Sequence, residues 1–152
     1  MLTRKVTSLV LVVLLVSGLS FGQSFEKAEY LRAKQGEKKG ENIKGTLHFD
    51  SAKKEVHFLG KNKDAPEFTI KYDSIKSMLY EKAAKPRYAA GLLIAWPLLF
   101  TKSKKHYLTI HYNDAAGAGQ FVLVKLDKSN FREALARAEA ETGKKIERQE
   151  ER

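Results

Sequence analysis

Two neighbouring segments around residue 50 alternate between apolar and polar side chains, and this alternation constrains the fold more than any other feature of the chain. They read KGTLHFD and KKEVHFLG. A period of two is typical of a β-strand with one buried face. If Asp50 pairs with Glu55 across the turn at residues 51–54, the two strands place their apolar side chains on one face of a hairpin: Leu47, Phe49, Val56 and Phe58.

The same period recurs twice further along the chain. The segment EFTIKYDSIKSMLY alternates, pauses at residues 73–74 and resumes, which predicts a bent or broken strand. The segments HYLTIHY and QFVLVKL predict a second hairpin around residues 113–119, with Leu108 opposite Val124 and Ile110 opposite Val122. The chain is therefore predicted to be mainly β and antiparallel.

One helix is predicted, and it lies near the C-terminus. Asn130 is a suitable N-cap, Glu133 stands three positions later as in a capping box, and Gly143 ends the helix. Glu133 and Arg137 are spaced to form an ion pair. We expect the core to contain the side chains on the apolar sides of these patterns: Leu47, Phe49, Val56, Phe58, Phe68, Ile70, Ile75, Leu108, Ile110, Val122, Val124, Phe131 and Leu135.

The first 22 residues have the parts of an export signal. A basic start precedes the apolar residues 9–16, and the small residues Ser20 and Gly22 precede a cut that would leave Gln23 first. A membrane anchor is the alternative, but the apolar run is shorter than the roughly twenty residues that a span needs. We therefore expect an exported protein, periplasmic or secreted and possibly held at a membrane surface.

Charge and cysteine content restrict the partners of such a protein. The net charge is +10, and it stays at +8 when the two basic residues of the signal are removed. Outside the cytoplasm the abundant polyanions are lipid headgroups and envelope polysaccharides, and nucleic acid is not expected. The chain has no cysteine, which excludes disulfides, a thiolate site and a lipid-modified N-terminal cysteine.

Four segments follow from these patterns. Residues 1–22 are predicted to be the signal peptide, and residues 23–42 a strand near Tyr30 followed by a loop. Residues 43–143 are predicted to form the β domain with its C-terminal helix. Residues 144–152 are predicted to be a charged tail that frays beyond Ile146.

The order of these elements and several short motifs resemble the pleckstrin-homology-like barrels, a group that includes the GRAM domains. The motifs are GTLHFD, IKYDSIKSM, KKHYLTIHY and LDKSNFREALARAEAETGKK. Lys71 stands where the bacterial members of that group have a proline. The spacing of SKKHYLTI and ETGKK is also similar to that of small exported bacterial proteins of unknown role. The resemblance implies a partly open barrel, or a strongly bent sheet, that binds lipid headgroups or peptides without catalysis.

The segment at residues 88–100, YAAGLLIAWPLLF, is the most unusual one after the signal, because its thirteen residues carry no charge. As a helix it would be about 20 Å long, too short for the roughly 30 Å hydrocarbon core of a bilayer. Pro97 disfavours a single central strand, because proline cannot donate to a sheet ladder. Basic residues bracket the segment on both sides: Lys82, Lys85 and Arg87 before it, and Lys102, Lys104, Lys105 and His106 after it.

Three interpretations of this segment remain open. It packs inside the protein, it inserts into a membrane surface with Trp96 at headgroup depth, or it forms a docking patch for a protein partner or for self-association. Insertion would let the flanking cations meet anionic lipid. The candidate ligand-binding residues are Lys85, Arg87, Trp96, Lys102, Lys104 and Lys105.

The sequence carries no sign of a catalytic or metal site. His48 and His57 are predicted to face each other on the first hairpin, but two imidazoles do not make a site, and His106 and His111 fall on opposite faces of one strand. No nucleophile elbow, phosphate loop or metal motif is present. We therefore expect a non-catalytic binding protein without a cofactor, attached to an anionic envelope or membrane surface. The alternative is a structural protein that binds another envelope protein and keeps the apolar segment as core.

Overall fold

A computed structural model of the protein describes residues 22–33, 40–87 and 103–150. These residues form eight strands and one helix. The elements are β1 (Gln23–Arg32), β2 (Glu41–Asp50), β3 (Glu55–Gly60), β4 (Pro66–Lys71), β5 (Ile75–Ala83), β6 (Lys105–Asn113), β7 (Gly119–Leu126), α1 (Phe131–Thr142) and β8 (Ile146–Glu150).

All eight strands belong to one sheet, whose order is β4-β3-β2-β1-β7-β6-β5-β8. The sheet is open, because β4 and β8 form its two ends. Every neighbouring pair is antiparallel except β5 and β8, which run parallel. The prediction of a mainly β, antiparallel and partly open sheet with one helix near the C-terminus is confirmed.

Both predicted hairpins form in the predicted register. Asp50 pairs with Glu55 in the first, and Leu108 pairs with Val124 in the second. The predicted pause at residues 73–74 is a short 3-10 turn, Tyr72–Ser74, between β4 and β5. The Tyr72 N–H at its start donates to the Lys54 carbonyl oxygen over 2.9 Å, which places the start of β5 beside the turn between β2 and β3.

The core lies between the inward face of the sheet and one face of α1. Of the thirteen side chains predicted to be buried, eleven are buried, and Phe68 and Phe131 are partly buried. The helix contributes Ala134, Leu135 and Ala138. It ends at Gly143, whose φ of 68° is left-handed and whose N–H donates to the Glu139 carbonyl oxygen.

Two predictions about helix α1 are wrong. Asn130 occupies the predicted N-cap position, but its side chain makes no capping bond and instead donates from Nδ2 to the Glu26 carbonyl oxygen over 3.1 Å, because β1 passes beside the start of the helix. Arg137 pairs with Glu141 rather than with Glu133, at 2.7 Å. It also donates to Ser51 Oγ over 2.9 Å, which holds the helix against the turn between β2 and β3.

The two ends of the described chain are more ordered than the sequence indicated. Strand β1 covers ten residues and pairs with both β2 and β7, so it lies in the middle of the sheet. The predicted charged tail contains β8, which pairs with β5 and places Ile146 opposite Met78. Ile146 is buried in the core cluster, and this burial offsets the cost of ordering the charged residues that follow it.

Candidate functional site

The basic residues on both sides of the apolar segment meet at one end of the sheet. Strands β5 and β6 pair so that Lys82 faces His106 and Ala83 faces Lys105. The chain therefore leaves the sheet and returns to it at neighbouring positions. We call the following described residues the basic end: Lys82, Lys85, Arg87, Lys104 and Lys105.

The structure locates four of the six predicted site residues in this basic end. Lys85, Arg87 and Lys104 are exposed, and Lys105 is half-buried at the start of β6. Trp96 and Lys102 lie outside the described residues. Because positive side chains come from both flanks, the basic end presents cations over a wider area than either flank would alone.

A buried carboxylate fixes the first flank. Glu81 is only 4% exposed, and its two oxygens lie 3.3 and 3.4 Å from the Arg87 N–H. Arg87 Nε lies 3.7 Å from Glu81 Oε1. Burial raises the pKa of Glu81, and the Arg87 backbone and charge act in the opposite direction. The contact anchors the chain where it leaves β5 and holds the Arg87 guanidinium at the surface.

A stack of rings supports the second flank. The Tyr80 hydroxyl and His106 Nδ1 are 2.7 Å apart. The His106 ring lies on Phe131 with centroids 3.7 Å apart and planes 11° from parallel. The Arg132 guanidinium lies 5.5 Å from the centre of the Phe131 ring, a cation–π distance. Helix α1 thus packs against the start of β6 and brings a further cation close to the basic end.

The histidine pair of the first hairpin forms as predicted. The rings of His48 and His57 stack with centroids 4.8 Å apart, and Ser24 Oγ lies 2.7 Å from His48 Nδ1. Burial, and then the charge of His57, lower the pKa of His48. Within residues 22–33, 40–87 and 103–150, no three His, Cys, Asp or Glu side chains are grouped as a metal site would require.

Sequence reasoning missed the role of Glu81. In the structure Tyr80 and Glu81 are buried and Lys82 is half-buried. The one signal in the sequence was the position of Glu81 directly after Leu79 and Tyr80. Its partner could not be inferred, since Arg87 lies beyond the end of the strand, where spacing no longer fixes direction.

The described part of the chain contains no helix that is both long enough and apolar enough to span a membrane. The cations of the basic end are suited to binding anions.

Comparison with known proteins shows a similarity of fold and no similarity of sequence family. No protein-family model matches the chain, and no curated protein matches it. The solved structure of the Spt16D Pob3N heterodimer is similar with a TM-score of 0.54 at 10% identity, over 87% of this chain and 56% of that one. The hSac2 domain from human phosphoinositide phosphatase Sac2 aligns with a TM-score of 0.49 at 12% identity, over 99% of this chain and 90% of that one.

The first of these neighbours has a pleckstrin-homology-like fold, and its likeness to this chain supports the same fold here. The chain spans little more than half of the length of the first neighbour. At such low identity the likeness establishes fold alone.

Proposed function

We propose that the chain is an exported, non-catalytic binding protein that attaches peripherally to an anionic envelope or membrane surface. The observation that carries the proposal is the pairing of β5 with β6, which brings the basic residues on both flanks of the apolar segment to one end of the sheet. The resemblance to the pleckstrin-homology-like group, which includes the GRAM domains, supports binding without catalysis.

The mechanism has two parts, charge and insertion. The basic end attracts the anionic surface, each cation near an anionic lipid contributing up to about 1 kcal/mol. The apolar residues 88–100 then insert into the membrane surface, and Trp96 lies at the depth of the lipid headgroups. The ligand-binding residues of this proposal are Lys85, Arg87, Trp96, Lys102, Lys104 and Lys105. Because both ends of the segment are tied to adjacent strands, the segment would insert as a loop.

Co-sedimentation with vesicles tests the electrostatic part. We expect protein from the exported fraction to bind vesicles rich in phosphatidylglycerol and not vesicles of phosphatidylcholine. Raised salt should weaken this binding, since screening limits surface charge to about 8 Å at physiological ionic strength. Binding to both kinds of vesicle, or to neither, would reject the proposal.

The chain offers a matched control for charge. Replacing Lys85, Lys104 and Lys105 by Gln should reduce vesicle binding about tenfold or more. Replacing Lys53, Lys54 and Lys71 by Gln also removes three charges and should leave binding nearly unchanged, because these exposed lysines lie beside the start of β5, at the other end of that strand. Equal losses in the two variants would mean that net charge alone drives binding.

A second candidate function is a structural one, in which the protein binds another envelope protein along an open strand edge and residues 88–100 are core. Two observations favour it. The sheet ends at β4, a six-residue strand with one neighbour, and such an edge can accept a partner strand. Side chains on both faces of β6 are buried, Tyr107 and Thr109 on one face and Leu108 and Ile110 on the other. Continuous apolar segments are typical of elements in proteins whose sheets are covered on both faces, so this burial favours an apolar segment that serves as core.

A further inference from the structure

A cavity of about 640 Å³ opens on the outward side of β1, β2 and β3. Strand β1 bulges there: its register with β2 shifts between Phe25 and Ala28, and Lys27 has a φ of 59°. Strand β2 comes unusually close to β3 at Gly45, where an added Cβ would lie 2.1 Å from the Leu59 carbonyl oxygen. The cavity is of the size that small ligands occupy.

Four lysines line this cavity: Lys27, Lys44, Lys61 and Lys63. In the described part of the chain, the ammonium groups of Lys27, Lys44 and Lys61 have no carboxylate within ion-pair distance. Lys63 has one contact, at 3.7 Å from Glu67 Oε1. The Lys61 N–H donates to the Lys44 carbonyl oxygen over 2.8 Å, which keeps these two lysines on adjacent backbone.

Three carboxylates, those of Glu26, Glu29 and Asp127, also line the cavity and offset part of this positive charge. Glu29 is bound by Lys125 Nζ at 2.6 Å and by Asn42 Nδ2 at 2.6 Å. Burial alone would raise the pKa of Glu29, but these two partners hold it below its ordinary value, so the carboxylate stays charged and paired. Asp127 accepts the Ser129 N–H over 2.9 Å in the turn before α1.

The lining combines cations with hydroxyl-binding groups. Thr46, Asn62 and the carboxylates of Glu26 and Asp127 can accept hydrogen bonds from hydroxyls, and Leu59 gives an apolar wall. An inorganic anion would use only the lysines. We propose that the cavity binds a small anionic carbohydrate, whose acid group lies among Lys27, Lys44 and Lys61 and whose hydroxyls contact the polar wall. This site is independent of the surface attachment proposed above.

Amide NMR of the full chain at constant ionic strength tests the proposal. We expect glucuronate and glucose 6-phosphate to shift the Lys44, Gly60 and Lys61 amides saturably, with glucose and inorganic phosphate each at least about tenfold weaker, because each lacks one part of the recognition. No saturable shift with either anionic sugar would overturn the proposal. Equal binding of glucose, or of inorganic phosphate, would also overturn it.

Variants separate this site from the basic end. Replacing Lys44 and Lys61 by Gln should weaken glucuronate binding about tenfold while the remaining amide spectrum stays that of a folded protein. Replacing Lys85, Lys104 and Lys105 by Gln should leave glucuronate binding unchanged. Undiminished binding in the first variant, or an equal loss in the second, would reject the cavity as the site, whatever the vesicle experiments show.

Discussion

The His57 imidazole, stacked on His48 across β2 and β3, affects the protonation of His48. His48 is partly withdrawn from water, and the His57 ring lies 4.8 Å away, centre to centre. Burial and the neighbouring charge both disfavour a proton on His48, so its pKa lies below the ordinary value of 6.5.

The first prediction follows from these two causes. Replacing His57 by Gln removes the charge and leaves the burial, so the pKa of His48 should rise but stay below 6.5, as followed by NMR of the imidazole protons. His111→Gln, on a different hairpin, should leave the pKa of His48 unchanged. An unchanged value in the His57 variant would mean that burial alone depresses it.

The same lowered pKa has a consequence for stability. As the pH falls through 6.5, the ordinary value, the unfolded chain takes up a proton at His48 before the folded chain does. The free energy of unfolding therefore declines from there until the pH reaches the folded-state pKa of His48, where this contribution levels off. The contribution of His48 to the free energy of unfolding should therefore fall between pH 6.5 and the lower pKa of the folded state.

At the scale of elements, β8 shows how one apolar residue can order a charged segment. Replacing Ile146 by Ala should lower the free energy of unfolding by about 2 to 5 kcal/mol, because the side chain is buried in the core. Glu147→Ala, at an exposed neighbouring position, should change it by less than about 0.5 kcal/mol. Urea unfolding measures both. A change as small for Ile146 as for Glu147 would indicate a frayed tail.

The hairpins could be predicted from sequence because their information is local. Alternation decides which face of a strand is buried, and the turn length then leaves one register that puts both apolar sets together, as for Asp50 with Glu55. Strand β8 could not be predicted in this way. Its partner β5 lies more than sixty residues earlier in the chain, and a five-residue charged segment has no pattern of its own.

The two candidate sites also differ in how far the sequence predicts them. The basic flanks of the apolar segment are visible in the sequence, and their convergence follows from pairing β5 with β6. The lysine-lined cavity is not visible, because it depends on a bulge at Lys27 and on a close approach at Gly45. Both features interrupt the alternation of apolar and polar residues, so a prediction based on that alternation does not detect them.

At the scale of the whole molecule, the two candidate functions differ in what residues 88–100 contact. The two candidate functions place them differently, either in an anionic surface or within the protein. Trp96 is the one tryptophan of the chain, so its emission reports on this segment alone. Insertion predicts a blue shift on adding phosphatidylglycerol vesicles, and interior packing predicts emission that vesicles leave unchanged.

The last prediction separates these functions by a single charge. If the segment inserts, Leu93→Asp should abolish vesicle binding and leave the thermal unfolding transition in place, because the carboxylate is solvated in the free protein and costly to bury at the boundary between headgroups and acyl chains. If the segment is core, the same change should unfold the domain, since an unpaired carboxylate inside a protein costs several kcal/mol. Ala136→Asp, at an exposed position of α1, adds the same charge and should do neither. Retention of both folding and vesicle binding by the Leu93 variant would exclude insertion and core packing alike, and would leave a protein-docking patch as the role of the segment.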